Sequence, residues 1–265
     1  SEILKLIKNK LKNDNLVIGG TSAGTAVMSG GVFDNSPTVM ITNGQSNTAI
    51  IRGSKKDILP TEGCQKSESC NHDLLNDDLT YNSTGGLGLF PWGIMDTHFS
   101  ERGRQGRLAK LALETNSRFA FGVDESTALV LSDISNRTPV LSVIGQGGVF
   151  IIENNTKPIA NENRVKIHYM SYGDTAKIVN EQIAISIANW KNTPTESVTI
   201  PDNVTNIFDH DLFQKMTEIL CRNNANDFSA EDQWEKNKIK INVSKLPDAE
   251  SGYGAIKIGD IAKGY

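Results

Sequence analysis

The sequence predicts an α/β fold, a parallel sheet flanked by helices with extra hairpins added, and three observations predict it. A short apolar run, Leu16-Val17-Ile18, leads into a glycine-rich turn and the start of a helix, Gly19-Gly20-Thr21-Ser22-Ala23-Gly24-Thr25-Ala26. A second apolar stretch, Leu87 to Phe99, ends in the polar group Asp96-Thr97-His98, as strands of parallel sheets do at their carboxyl ends. Between Phe119 and Met170, short apolar runs alternate with Gly, Asp and Ser turns in the pattern of successive strands.

The elements follow in chain order. Ile3, Leu4, Ile7 and Leu11 recur at helical spacing among lysines, which predicts an amphipathic helix over Ser1 to Asn13. Leu16 to Ile18 reads as a buried strand that needs parallel neighbours on both sides, so the chain is expected to be the middle of an α/β unit, its N-terminal strands missing. From Gly30 to Gly88 the periodicity fails, and the segment is expected to be a loop-rich insertion with one strand at Thr48 to Arg52. Such an insertion is either a lid over a site or a tolerated surface excursion.

Leu108, Leu111 and Leu113 predict a helix after the second strand. Phe119–Val123 with Thr127–Leu131, and Val140–Ile144 with Val149–Ile152, read as two hairpins around Asp124-Glu125-Ser126 and Gly145-Gln146-Gly147-Gly148; Val165 to Met170 is a further strand, on which His168 reads as structural. These elements assign 1–175 to an α/β domain and 176–265 to an accessory C-terminal extension. In the extension, Ile178, Ile183 and Ile187 fit one helix, Leu212, Phe213, Met216 and Leu220 a clearer one starting near Asp209, and Ile239 to Val243 a strand.

Composition bounds the function. The 265 residues, 38% apolar and 22% charged, are ordinary for a folded domain, and a net charge of −4 gives no electrostatic reason to expect nucleic acid. No apolar run reaches membrane-spanning length, so no membrane partner is expected. Cys64 and Cys70 lie six positions apart in a Gly/Ser/Asn-rich stretch and Cys221 stands alone, which suits a short-loop disulfide in an exported protein better than a metal site. Asn82, Asn136, Asn154, Asn203 and Asn242 begin N-x-S/T triplets, which matter only in a glycosylating cell. The expectation is a secreted or periplasmic protein, with the cytoplasm as the alternative.

The chemistry concentrates at two places. Gly20-Thr21-Ser22-Ala23-Gly24 fits a strand-to-helix elbow that exposes a serine hydroxyl, with the Ala23 N–H facing a developing oxyanion; the competing reading is a plain glycine-rich turn. His98 at a strand end is the matching general base, with Asp96 expected on the same side of the strand. Arg102, Arg104 and Arg107 follow within a helix start, where forked donors suit a substrate carboxylate and the competing reading is solvated surface charge.

Taken with Gly122-Val123-Asp124-Glu125-Ser126-Thr127-Ala128 and Val143-Ile144-Gly145-Gln146-Gly147, these blocks, in this order across roughly Leu16 to Met170, resemble the cyanophycinases. These are serine peptidases of the flavodoxin-like, class I glutamine-amidotransferase-like fold, related to dipeptidase E. The resemblance implies that Ser22 attacks an amide carbonyl, that His98 shuttles the proton, and that an acyl-enzyme is hydrolysed. It implies cyanophycin, poly-aspartate carrying arginine on each β-carboxyl, as substrate, with β-aspartyl-arginine dipeptides as products. Arg104 and Arg107 match positions that contact substrate carboxylates, Asp96 would meet the arginine moiety, and no metal or cofactor is implied.

Two departures accompany the resemblance. A glutamate that orients the histidine is expected about twenty residues after the serine, where this chain carries Thr42-Asn43-Gly44-Gln45 and no acid. Gln45 is therefore the expected orienting group, with Glu62 as substitute. The family also has a long segment ahead of the elbow, so a companion chain supplying it is expected, and a homodimer is a further expected arrangement. An aspartyl or isoaspartyl dipeptidase and a non-catalytic cyanophycin-binding homologue remain as alternative functions.

Overall fold

The computed structural model describes residues 1–13, 16–33, 35–58, 74–134, 138–154, 164–193, 199–201, 203–247, 249–252, 256–258 and 261–263. Glu62, Cys64, Cys70 and Asn136 lie outside the described residues.

Helix α1 spans Glu2–Asn13, and its Leu4, Ile7 and Leu11 are half-buried while Ile3 and Leu6 face solvent. Leu16 to Ile18 makes no sheet pairing, and Val17 is 91% exposed. An apolar strand is buried only when neighbours flank it, and the described residues set none beside this segment. The elbow follows, and helix α2 is the short Ala23–Ala26.

Within the segment expected to be loop-rich, the described residues include several short elements. Strands β1 (Val32–Phe33) and β2 (Ser36–Pro37) form an antiparallel ribbon. Strands β3 (Met40–Asn43), β4 (Ser54–Lys56) and β5 (Leu79–Asn82) form a three-stranded sheet in the order β3-β5-β4. The strand expected at Thr48 to Arg52 is helix α3, Ser46–Arg52, with Ser46, Thr48 and Ala49 buried. Tertiary packing overrides the β preference of Thr48, Ile50 and Ile51 here, because this short helix puts Ala49 into the core.

The main sheet has the order β11-β10-β7-β6, from β6 (Ile94–Thr97), β7 (Phe119–Val123), β10 (Gly148–Glu153) and β11 (Lys166–Ser171). Only β6 and β7 run parallel in it; the other pairings are antiparallel. The fold is α/β with mixed sheets, rather than the mostly parallel sheet expected. A second antiparallel sheet, β13-β12-β9-β8, is made of β8 (Thr127–Ser132), β9 (Val140–Gly145), β12 (Thr175–Val179) and β13 (Gln182–Ser186).

Alternation along the main sheet explains the two cores. Ile94, Ala120, Phe150 and Ile152 face helices α4 (Gln105–Glu114) and α5 (Leu212–Arg222), while Met95, Phe119, Phe121, Val149 and Ile151 face the second sheet. Each fully buried Phe or Ile of this kind contributes about 1.5–3 kcal/mol.

The expected hairpins are corners between the two sheets. β7 continues through Asp124-Glu125-Ser126 into β8 of the other layer, and β9 continues through Gln146-Gly147 into β10. Both corners lie at one end of the sandwich, so Asp124, Glu125 and Gly148 converge there. Ile178 and Ile183 sit opposite each other on antiparallel β12 and β13, with Asn180-Glu181 turning at positive φ between them, so no helix forms there.

Described residues of the 176–265 stretch contribute to the core. Val204, Ile207, Phe213, Met216 and Leu220 pack in one cluster with Ile94, Leu108 and Phe150, joined by Phe228 and Ala230 from strand β14 (Asp227–Trp234), with the partly buried Ile241 and Val243 of strand β15 (Asn237–Ser244) packed against it. No helix among the described residues is long and apolar enough to cross a membrane.

Candidate active site

The elbow forms because its residues permit a close reversal. A Cβ on Gly20 would lie 2.3 Å from the Gly24 carbonyl oxygen, so only glycine fits. Thr25 Oγ1 donates to the Gly20 carbonyl at 2.6 Å, and the Gly24 and Thr25 amides donate to Thr21 and Ser22 carbonyls. Ser22 is held at φ 52°, ψ −124°, a strained conformation for a non-glycine residue that projects its hydroxyl from the turn. The Ala23 N–H opens α2, where no carbonyl of the helix precedes it to accept. The far end of α2 is anchored to β6, because Ser29 Oγ accepts the Met95 N–H at 2.8 Å.

His98 follows β6 directly and also has positive φ, 46°. The break ends the strand alternation, so Asp96 and His98 do not share a side as expected: Asp96 turns inward and His98 turns toward Ser22. Phe99 fixes the break. Its ring packs on Gly122 of β7 so closely that a Cβ there would lie 2.3 Å from it.

The structure brings Ser22, His98 and Glu125 into line. His98 Nε2 is 2.9 Å from Ser22 Oγ, and Nδ1 is 2.7 Å from Glu125 Oε1. A carboxylate accepts only, so Nδ1–H donates to Glu125, and Nε2 is left as the acceptor for the serine O–H. Glu125 thus occupies the position expected for Gln45. Gln45 instead stands at the N-cap position of α3, without a side-chain capping bond, and donates its backbone N–H to the Asp77 carbonyl. What places Glu125 is a pairing only the fold reveals: β7 pairs in parallel with β6, Thr97 opposite Val123, so acids just after Val123 fall beside the residue after Thr97.

The expected substrate clamp is partly internal. Asp96 and Arg107 are both buried, joined at 2.8 Å through Nε and at 2.6 Å through Nη2, and Arg107 Nη1 donates to the Gly44 carbonyl at 2.6 Å. Arg107 therefore ties β6 to the turn before α3, each of its three nitrogens already bonded. Arg104 Nη1 donates to the Thr97 carbonyl and approaches Asp96 at 3.4 Å; burial and the neighbouring Arg107 lower it to about 10. Arg102 is exposed.

A group of carboxyls lies behind the triad. Asp124 accepts the Ser100 N–H at 3.0 Å and the Gly148 N–H at 2.9 Å, and burial raises its pKa to about 6. Glu218 of α5 accepts from Tyr169 Oη at 3.2 Å and Gln214 Nε2 at 3.1 Å, and burial raises it to about 7. His168 bonds Glu153 at 3.2 Å across β10 and β11, in keeping with a structural role. Cys221 is a free thiol, which burial pushes up. Among the described residues, no three His, Cys, Asp or Glu side chains are grouped to hold a metal ion.

The chain is similar to curated cyanophycinases. Those of Trichormus variabilis and of Nostoc sp. are each 28% identical over 183 residues, 65% of this chain and 49% of theirs. That of Geminocystis herdmanii is 26% identical over the same length, 53% of its own. The chain thus spans about half the length of the curated relatives it matches. No protein-family model matches it.

Proposed function

We propose that the chain is the catalytic portion of a serine-type hydrolase that cleaves cyanophycin to β-aspartyl-arginine dipeptides through an acyl-enzyme. The observation that carries this reading is the unbroken line from Ser22 Oγ through His98 to Glu125 Oε1, at 2.9 and 2.7 Å. Chemistry of this kind needs a base within hydrogen-bond reach of the nucleophile and a group orienting the base. Similarity to cyanophycinases supplies the substrate class.

In this reading His98 Nε2 takes the Ser22 proton as Oγ bonds to the amide carbonyl carbon, and the carbonyl oxygen gains negative charge facing the Ala23 N–H. His98, now cationic, is stabilised by Glu125 and returns the proton to the leaving amine as the C–N bond breaks. Water, deprotonated by the same nitrogen, then releases the acyl group and restores the serine. Arg102 is the exposed cation left to meet a substrate carboxylate.

The reading extends to a companion polypeptide segment needed for full activity. Leu16 and Val17 are exposed immediately before the elbow, as are Ile3 and Leu6 of α1. An unpaired apolar strand accepts an added strand through its backbone groups, and a second oxyanion donor would arrive with it.

The test is incubation with insoluble cyanophycin, with the full-length protein or the chain plus its companion, followed by mass spectrometry of the supernatant. Wild type should release β-Asp-Arg, and Ser22→Ala should bind the polymer and release none. Equal release by both proteins, or binding without release by wild type, overturns the hydrolase reading.

A further inference from the structure

The turn bearing His98 and the corner bearing Glu125 are tied together twice, in opposite directions. Asp124, on the Glu125 corner, accepts the Ser100 N–H of the His98 turn at 3.0 Å through Oδ1 and the Gly148 N–H at 2.9 Å through Oδ2. Glu101, on the His98 turn, accepts the Glu125 N–H at 2.9 Å through Oε1. The Asp124 N–H completes the frame by donating to the Gly148 carbonyl at 3.1 Å. Each carboxylate thus holds a backbone amide of the opposite loop.

We propose that Asp124 and Glu101 are positioning residues, a reciprocal brace that sets the His98–Glu125 contact and so keeps the imidazole in the tautomer that can accept the serine proton. The proposal rests on the hydrolase reading for its catalytic consequence, though not for its geometry.

The brace comes at a cost in stability. Asp124 is 3% exposed, and Glu101 Oε2 is buried without a partner among the described residues. Two carboxylates are held close together, each giving its charge to neutral N–H groups. Hydrogen bonds from backbone N–H to an ionised oxygen are short and directional, which suits a rigid spacer between two loops.

Protonation loosens it. Asp124 faces Glu101 on the turn, Tyr169 on β11 and Glu218 on α5, all three of them acids. Its raised value, about 6, makes the charged brace complete above that pH and weakened below it.

Three variants and two readouts test the brace. Asp124→Asn leaves one acceptor oxygen for two N–H groups. Glu101→Gln keeps the one oxygen that Glu125 N–H uses, whereas Glu101→Ala removes it. With cyanophycin as substrate, Asp124→Asn and Glu101→Ala should each lower kcat about 10- to 100-fold with KM within about twofold, and Glu101→Gln should recover most of the loss. The acid side of the wild-type log kcat profile should be steeper than that of Asp124→Asn, because a second group titrates there. Unchanged kcat per folded molecule, loss shared equally by Glu101→Gln and Glu101→Ala, or identical acid slopes would overturn the proposal.

The second readout needs no turnover. In protein carrying ¹⁵N-labelled histidine, the His98 Nδ1–H proton should resonate far downfield and move upfield in Asp124→Asn. If wild type releases no dipeptide yet this resonance moves, the brace stands and the hydrolase reading falls. If it stays in place, the brace falls whatever the turnover.

Discussion

Arg107 grips Asp96 through two parallel hydrogen bonds, at 2.8 and 2.6 Å, while its third donor reaches the Gly44 carbonyl. A guanidinium so engaged is a structural staple between β6, α4 and the turn before α3, and substrate could reach it only by breaking the pair.

Arg107→Ala should therefore act on stability. Removing one partner of a buried ion pair leaves the other charge uncompensated and costs about 3–5 kcal/mol. Thermal unfolding should show a fall in Tm of several degrees. Replacing both members together, Arg107→Met with Asp96→Leu, should cost less than Arg107→Ala alone. A normal Tm combined with a raised KM for Arg107→Ala would return the residue to substrate binding.

Arg102 is expected to behave oppositely. It is exposed, so Arg102→Ala should leave Tm within about one degree, since exposed charges contribute little to stability. If it meets a substrate carboxylate, the loss should appear as a raised KM, and the variant's KM should rise less with salt than that of the wild type. Dipeptide release measured against polymer concentration at low and high ionic strength separates these effects.

How much of this was legible depends on whether the information was local. Ser22 and His98 stood out as candidates because each sits in a short motif whose chemistry depends on its immediate neighbours, and the structure brings the two within 2.9 Å; α4 and α5 were readable because their apolar spacing is regular. Glu125 was not, because its role follows from β6 and β7 being parallel neighbours, a long-range pairing that leaves no mark in a single strand. Arg107 and Asp96 were read as separate substrate contacts for the same reason: spacing does not show that the two are buried and paired with each other. The helix α3 and the β12–β13 pair were misjudged where Ile and Thr spacing fitted either state and burial decided between them.

Glu218 gives a prediction for pH. Its folded value, about 7, lies above the ordinary glutamate value of 4.5, so between those values the folded state holds a proton that the unfolded state has released. Stability from this group is full below pH 4.5 and declines as pH rises to about 7, by on the order of 2–3 kcal/mol. Asp124, raised from 3.8 to about 6, acts in the same direction over a lower window. Glu218→Gln keeps a neutral partner for Tyr169 and should flatten the fall in Tm between pH 5 and 8, and at pH 8 it should be the more stable protein. An unchanged Tm profile would show that the buried carboxyl keeps its ordinary titration.

The strongest discrimination at the site comes from comparing Glu125→Gln with Gln45→Ala. Glutamine at 125 keeps the size of the side chain and can still accept from Nδ1–H through its oxygen, but it cannot stabilise the imidazolium, and its amide can donate to Nδ1 instead and fix the wrong tautomer. Loss of the acid in such a triad lowers kcat by about 10²–10⁴, and His98 remains folded in place because Phe99 and Gly122 hold its turn. Gln45 donates its backbone N–H to Asp77, so truncating its side chain removes nothing that His98 uses, and kcat should fall by less than about threefold, far short of the first effect. Steady-state kinetics on the two variants, with Ser22→Ala as the floor, decides the matter: a large loss in Gln45→Ala with near-normal Glu125→Gln would move the orienting role back to the amide.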